Sequence, residues 1–232
     1  MRYPTMHWFT QPGFGRVFVC LLCACWLSLA QANSYDDFHR ALLVDNPRVL
    51  RSLVARGFDP NSPDPKGNPA IVAALLNDSL GVFEYLVSLP EVDVEARNPS
   101  AETALMIAAI RGHVSAVEAL LARRAQVNQP GWTALHYAAS HPEKAGARIA
   151  QLLLEQHAYI DAQSPNLTTP LMMAARYGHE DTVRLLLAEG ADVSYRNAAG
   201  LNAMDFARLI DRDHIVELVA RHVRDQKPKG QW

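Results

Sequence analysis

The sequence predicts an all-α solenoid of about six stacked helix-turn-helix units, and three observations lead there. An apolar residue followed by an apolar pair three and four positions later recurs as Leu50-Leu53-Val54, Phe83-Leu86-Val87, Val117-Leu120-Leu121, Ile149-Leu152-Leu153, Val183-Leu186-Leu187 and Val216-Val219-Ala220. The steps between first members are 33, 34, 32, 34 and 33 residues. Each trio lies on one face of a helix, because positions i, i+3 and i+4 project together. A second mark precedes the middle trios: Thr103-Ala104-Leu105, Thr133-Ala134-Leu135 and Thr169-Pro170-Leu171 each lead into an alanine pair. Together the marks cover residues from about 35 to 225.

The elements follow in order from the N-terminus. Residues 1–32 read as a secretory leader outside the fold: Arg2 and Arg16 with no acidic residue, an apolar run from Val17 to Ala30, and the small-x-small end Ala30-Gln31-Ala32. The run is too short to cross ~30 Å of hydrocarbon, so cleavage after Ala32 and no integral membrane segment thereafter are expected. Leu22-Cys23-Ala24-Cys25 offers a second reading, a lipoprotein box that would leave a lipidated Cys25. All 3 cysteines, Cys20, Cys23 and Cys25, lie in this run, so a chain beginning at Asn33 would carry no disulfide or thiolate.

Residues 33–226 form the repeat domain, with units at about 35–66, 67–99, 100–130, 131–165, 166–198 and 199–225. The first and last are degenerate, as caps with a polar outer side should be. The first carries Asp36, Asp37, His39 and Arg40; the last carries Asp211, Arg212, Asp213, Arg221 and Arg224. In the middle units threonine caps the first helix, with proline suited to the position just inside it. The sixth substitutes Asn202-Ala203-Met204-Asp205, where Asn202 caps and Asp205 favours the positive helix end. Alanine pairs Ala108-Ala109, Ala138-Ala139 and Ala174-Ala175 are expected to face the adjoining helix. Gly112 and Gly178 are expected to end first helices, and Gly57 and Gly190 second ones, in left-handed backbone. Residues 227–232, Lys-Pro-Lys-Gly-Gln-Trp, lack periodicity and read as a frayed tail or a short docking segment ending in Trp232.

The fifth unit carries a more specific signature. Thr169-Pro170-Leu171-Met172-Met173-Ala174-Ala175-Arg176-Tyr177-Gly178-His179, continued by Val183-Arg184-Leu185-Leu186-Leu187-Ala188-Glu189-Gly190-Ala191-Asp192-Val193, closely resembles the ankyrin repeat. The resemblance implies two antiparallel helices per unit followed by a hairpin-like finger at roughly a right angle. Two departures stand out. Thr103 to Thr133 spans 30 residues against 36 from Thr133 to Thr169, so the finger at Asn128-Gln129-Pro130-Gly131-Trp132 should be truncated. The fourth unit carries extra residues from His141 to Gly146 between its helices, an insertion that leaves the stack in register. Arg124 and His157 stand where the fifth unit has Gly190, at a cost on the order of 1 kcal/mol each, and those helix ends are expected to be looser.

The resemblance also implies where a protein partner binds. Family members contact partners through finger tips and two positions near the end of the first helix, here Leu76 and Asn77, Ile110 and Arg111, Ser140 and His141, and Arg176 and Tyr177. The residue before each cap, Asn68, Glu102, Trp132 and Thr168, is implied to face the same groove. Trp132, Arg176 and Tyr177 are the expected anchors, since Trp, Tyr and Arg dominate interface hot spots.

Other function classes find little support. Without Arg2 and Arg16 the 22 basic residues fall to 20 against 24 acidic ones, a net of −4, which gives no footprint for nucleic acid. Phosphate loop, dinucleotide fingerprint and G-x-S-x-G elbow are all absent from the sequence, so no cofactor and no catalysis are expected. His113 and His179, after Gly112 and Gly178, and His136, in Thr-Ala-Leu-His, read as scaffold. His136 and His141 are five residues apart, unlike a helical zinc pair. Asp59, Asp93, Asp161 and Asp192 recur near the fingers and read as turn residues. The sequence therefore predicts a monomeric, exported protein-binding scaffold in a bacterial periplasm, or alternatively a secreted effector acting on another cell's protein or, third, a periplasmic ligand-binding protein or enzyme.

Overall fold

The computed structural model describes residues 34–226; the leader, its Ala30 and Ala32, Cys25, and the Trp232 tail lie outside them. Twelve helices and no strands occur among the described residues. They are α1 (34–43), α2 (Pro47–Ala55), α3 (Ala70–Leu76), α4 (Leu80–Ser88), α5 (Ala104–Arg111), α6 (Val114–Ala122), α7 (Ala134–Ser140), α8 (Ala145–Glu155), α9 (Pro170–Arg176), α10 (Glu180–Ala188), α11 (Ala203–Arg208) and α12 (Asp213–Gln226). Odd-numbered helices form an inner row, α3 on α5 on α7 on α9 on α11; even-numbered ones form an outer row from α2 to α12. This is the ankyrin-type solenoid that the repeats predict.

The caps close the inner helices through the third helical residue. Thr103 Oγ1 accepts from the Met106 amide at 3.4 Å, and the Thr103 and Thr169 amides donate to Met106 Sδ and Met172 Sδ, each at 3.5 Å. Asn202 and Asp205 exchange two such bonds at 3.1 Å. The alanine pairs are buried, as are Leu50, Leu53, Phe83, Leu86, Val117, Leu120, Ile149, Leu153, Val183 and Leu186 from the trios. The last outer helix differs slightly: Ile215 and Val219 are its buried pair, and Val216 is half-buried.

Gly112 takes the expected left-handed turn at φ 74°, matched by Asp45, Asp78 and Asp211 at φ 50°, 55° and 56°. Gly178 does not. It is glycine for want of space: a Cβ there would lie 2.2 Å from the Ala139 carbonyl oxygen and 2.9 Å from Ala174 Cα. The insertion after α7 brings the His141 backbone against this turn, where the His179 amide donates to His141 O at 3.2 Å. Gly57, Gly190, Arg124 and His157 all have positive φ, so the strained non-glycine positions are where the sequence puts them.

The caps are less uniformly polar than expected. Asp36, Arg40, Asp211, Asp213, Arg221 and Arg224 are exposed. His39 is instead 8% exposed, edge-on to Tyr35 and Phe38, and that burial pulls its pKa below the ordinary value. Arg212 turns inward, donating to the carbonyls of Ala174 and Ala175 at 3.2 and 3.1 Å, and so fastens the last pair of helices to α9.

The fingers follow two rules that the sequence reading missed. At the base, one side chain per unit bonds the backbone of the next finger. Asn61 bonds Glu91 O and the Asp93 amide, Glu95 the Gln126 amide, Asn128 His157 O and the Tyr159 amide, and Asp161 the Asp192 amide. Asp59, Asp93 and Asp192 are turn residues as expected, each accepting from the amide two residues on. Asp161 is not their counterpart; Tyr159 holds that register, and Asp161 is an inter-finger staple. At the tip, Asp64, Asn98, Ser164 and Asn197 fold the chain back on itself. Each pairs through its main chain with the residue four on, and its side chain accepts from that residue's amide.

Candidate functional site

The inner helices present their last turn and the preceding cap to a concave groove. Ile110 from α5, Trp132, His136, Tyr137 and Ser140 from the α7 segment, and Met173 and Tyr177 from α9 surround a largely apolar cavity of about 440 Å³. Four of these, Ile110, Trp132, Ser140 and Tyr177, are residues the repeat register singled out.

The truncated finger accounts for the cavity's position. In the complete fingers the residue before the cap is tied to the tip: Asn68 to Asp64, Glu102 to Asn98, Thr168 to Ser164 and Leu201 to Asn197. The third finger keeps its base residue Asn128 but lacks the tip that should follow. Trp132 therefore has no such tie, and only its carbonyl is held, by Gln129 Nε2 at 3.2 Å. Its indole instead turns into the groove, edge-on to the His136 ring at 5.2 Å and 76°.

His136 is the floor of the site and is fully buried. Nε2 donates to Thr168 O at 2.9 Å, and Nδ1 accepts from the Thr133 amide at 3.2 Å with Thr133 Oγ1 at 2.9 Å. This arrangement fixes the neutral tautomer protonated on Nε2. Burial drives the pKa from 6.5 to about 4, against a smaller upward pull from bonds to Thr168 and Ala162. With both nitrogens engaged, the ring joins units four and five. Tyr137 stands on the wall, donating to Glu102 Oε1 at 2.8 Å; burial first, and then that carboxylate, raise its pKa and keep it a neutral phenol. Ser140 Oγ donates to His136 O at 2.8 Å.

The remaining predicted residues divide. Arg176 is half-buried, its guanidinium stacked over Tyr177 with Cζ 5.0 Å from the ring centre, and Tyr177 is 47% exposed. Leu76 is half-buried against the core, and exposed Asn77 bonds back to Ala73 O. Arg111 pairs with Asp78 at 3.4 Å and donates to Leu76 O, away from the cavity. Glu102 is half-buried and bonded to Asn98 and Tyr137. His141 is an inter-repeat joint, with Nδ1 3.0 Å from Ile110 O. Asn68 and Thr168 correct the reading: they are buried, Asn68 bonded to Asp64 and Thr168 holding His136, because the finger tip consumes the residue before the cap. Leu209 and Ile210 were missed. They follow Asn202 as Arg176 and Tyr177 follow Thr169, and at 53% and 43% exposure they extend the apolar face beyond Tyr177.

No three His, Cys, Asp or Glu side chains among the described residues gather as a metal would require, and no described helix is long and apolar enough to cross a membrane. His113 and His179 bond Asp78 and the Asp181 amide, at helix starts.

Comparison with known proteins agrees with this architecture. A family model for ankyrin repeats (3 copies) matches residues 38–130, 73–164 and 143–228. Human SH3 and multiple ankyrin repeat domains protein 2 is 31% identical over 169 residues, 71% of this chain and 9% of the relative. Mouse Protein fem-1 homolog A-like is 37% identical over 142 residues, 60% of this chain and 21% of the relative. The mouse B-cell lymphoma 3 protein homolog is 31% identical over 166 residues, 68% of this chain and 36% of the relative. The chain thus spans a minor part of each relative's length. With the stacked helix pairs, the recurring caps and the matching family model together, the chain belongs to the ankyrin-repeat family.

Proposed function

We propose that this protein is a non-enzymatic binding scaffold that holds a protein partner in the groove around Trp132, in an exported compartment, the bacterial periplasm. Ankyrin repeats are generally protein–protein interaction modules, and the coarse reading rests on the family. The observation that carries the finer one is the Trp132 indole set in an apolar cavity where a finger tip is missing, beside Tyr177 and Met173. An aromatic anchor in a pocket with an adjoining Arg is the composition of an interface hot spot. Its role is to stabilise or position another exported protein.

Export rests on Arg2, Arg16, the apolar run Val17–Ala30 and the Ala30-Gln31-Ala32 end. The mass of the full chain recovered from its native host tests it. A mature N-terminus at Asn33 supports the proposal, a lipidated Cys25 replaces the soluble form by an anchored one, and an unprocessed cytoplasmic chain removes it.

The groove is tested by affinity capture with the C-terminally tagged chain and the W132A/R176A/Y177A variant. Loss of the captured partner with an unchanged melting curve supports the reading. Equal capture by both removes the patch.

A further inference from the structure

Arg176 stands next to Tyr177, a lining residue of the apolar cavity. It occupies the register of Ile110 and Ser140, both of which line the cavity. No carboxylate among the described residues pairs with it, and its Nε is buried with no hydrogen-bond partner among them. Its guanidinium lies over the Tyr177 ring, Cζ 5.0 Å from the ring centre, and Tyr177 in turn lines the cavity. Other arginines around the inner helices are satisfied: Arg111 by Asp78 and Leu76 O, Arg208 by Asp205, and Arg212 by two carbonyls.

We propose that Arg176 is the anion receptor of the groove, so that the bound partner segment places an aromatic or aliphatic side chain against Trp132 and an Asp or Glu beside Arg176. This rests on the groove being the partner site. A guanidinium stacked on an aromatic ring is already oriented, and a carboxylate meeting it gains charge-assisted bonds at little added ordering cost. Glu102, bonded to the lining residue Tyr137 and to Asn98, is acidic and repels a second carboxylate, which favours the α9 end for the partner's acidic residue.

Two probes with one apolar body separate charge from shape: 4-phenylbutyrate and its neutral isostere 4-phenylbutyramide. Each is titrated at low salt into the 15N-labelled full chain, following the Trp132 indole N–H signal, which is assigned by its loss in W132F. The acid is expected to bind about five- to tenfold tighter than the amide, as one half-buried charge-assisted contact provides. In R176Q that ratio falls to about one, and in R176K, which keeps the charge, a preference for the acid persists. Equal affinity for acid and amide in the native chain, or an acid preference that survives R176Q, overturns the role of Arg176 and leaves the groove standing. If neither probe moves the Trp132 signal, the groove itself is refuted as a binding site.

Discussion

Acidification from pH 7.5 to 5 should destabilise this protein through His136, and the amount follows from its surroundings. The folded-state pKa is lowered from 6.5 to about 4 by burial. A group whose folded pKa is depressed binds more protons when unfolded, so its stabilising contribution is complete above pH 6.5 and declines as pH falls toward 4. The whole shift corresponds to roughly 3 kcal/mol, of which about 2 kcal/mol is lost by pH 5. His136→Met isolates this term, because Met106 and Met172 already fill the same capping position in the neighbouring units. Methionine does not titrate but leaves Thr168 O without its donor, costing about 1–3 kcal/mol at pH 7.5. Urea unfolding at several pH values, followed by far-ultraviolet circular dichroism and by tryptophan fluorescence, measures both chains. The native protein should lose about 2 kcal/mol more than the variant between pH 7.5 and 5, so the gap between them narrows or closes. Parallel pH profiles would refute the argument, since His136 would then carry no linkage.

Three further outcomes are expected. Gly178→Ala should cost about 1–3 kcal/mol by overpacking against the Ala139 carbonyl, whereas Gly190→Ala, with nothing within 4 Å, should cost only about 1 kcal/mol through its positive φ; thermal melts rank the two. Arg124→Gly and His157→Gly relieve φ of 60° and 62°, and each should stabilise by about 0.5 kcal/mol, net of the added freedom of the unfolded chain, in urea titrations. Replacing Gln129-Pro130-Gly131 with residues 162–167 of the complete fourth finger should restore a tip over the groove. Acrylamide quenching of Trp132 and partner capture should both fall while the melting temperature holds; unchanged capture would show that the missing tip is not what opens the site.

Much of this was legible in the sequence because one period repeats six times. The trios located the outer helices, and Thr103, Thr133, Thr169 and Asn202 located the inner ones within a residue. The 30-residue step from Thr103 to Thr133 announced the short finger. What escaped depends on direction rather than spacing. Asp161 and Asp192 are both aspartates near a finger, but one faces along the row and the other closes its own turn. Asn68, Glu102, Trp132 and Thr168 share a register, yet only the one without a tip is released into the groove. Leu209 and Ile210 could have been found by counting seven and eight residues from Asn202; their place in a degenerate cap hid them. Met106 and Met172 gave no polar signal, although their sulfurs serve the caps.

The line of staples at Asn61, Glu95, Asn128 and Asp161 has a mechanical consequence for the gap beside it. Deleting the third tip removed chain beyond Asn128 but spared Asn128 itself, so adjacent fingers remain clamped at their roots across the break. The opening behaves as a slot cut in a stiff comb, not as a joint where the array can flex. A guest entering that slot finds walls whose separation is already set, and little of the attraction it makes there is consumed in immobilising the host.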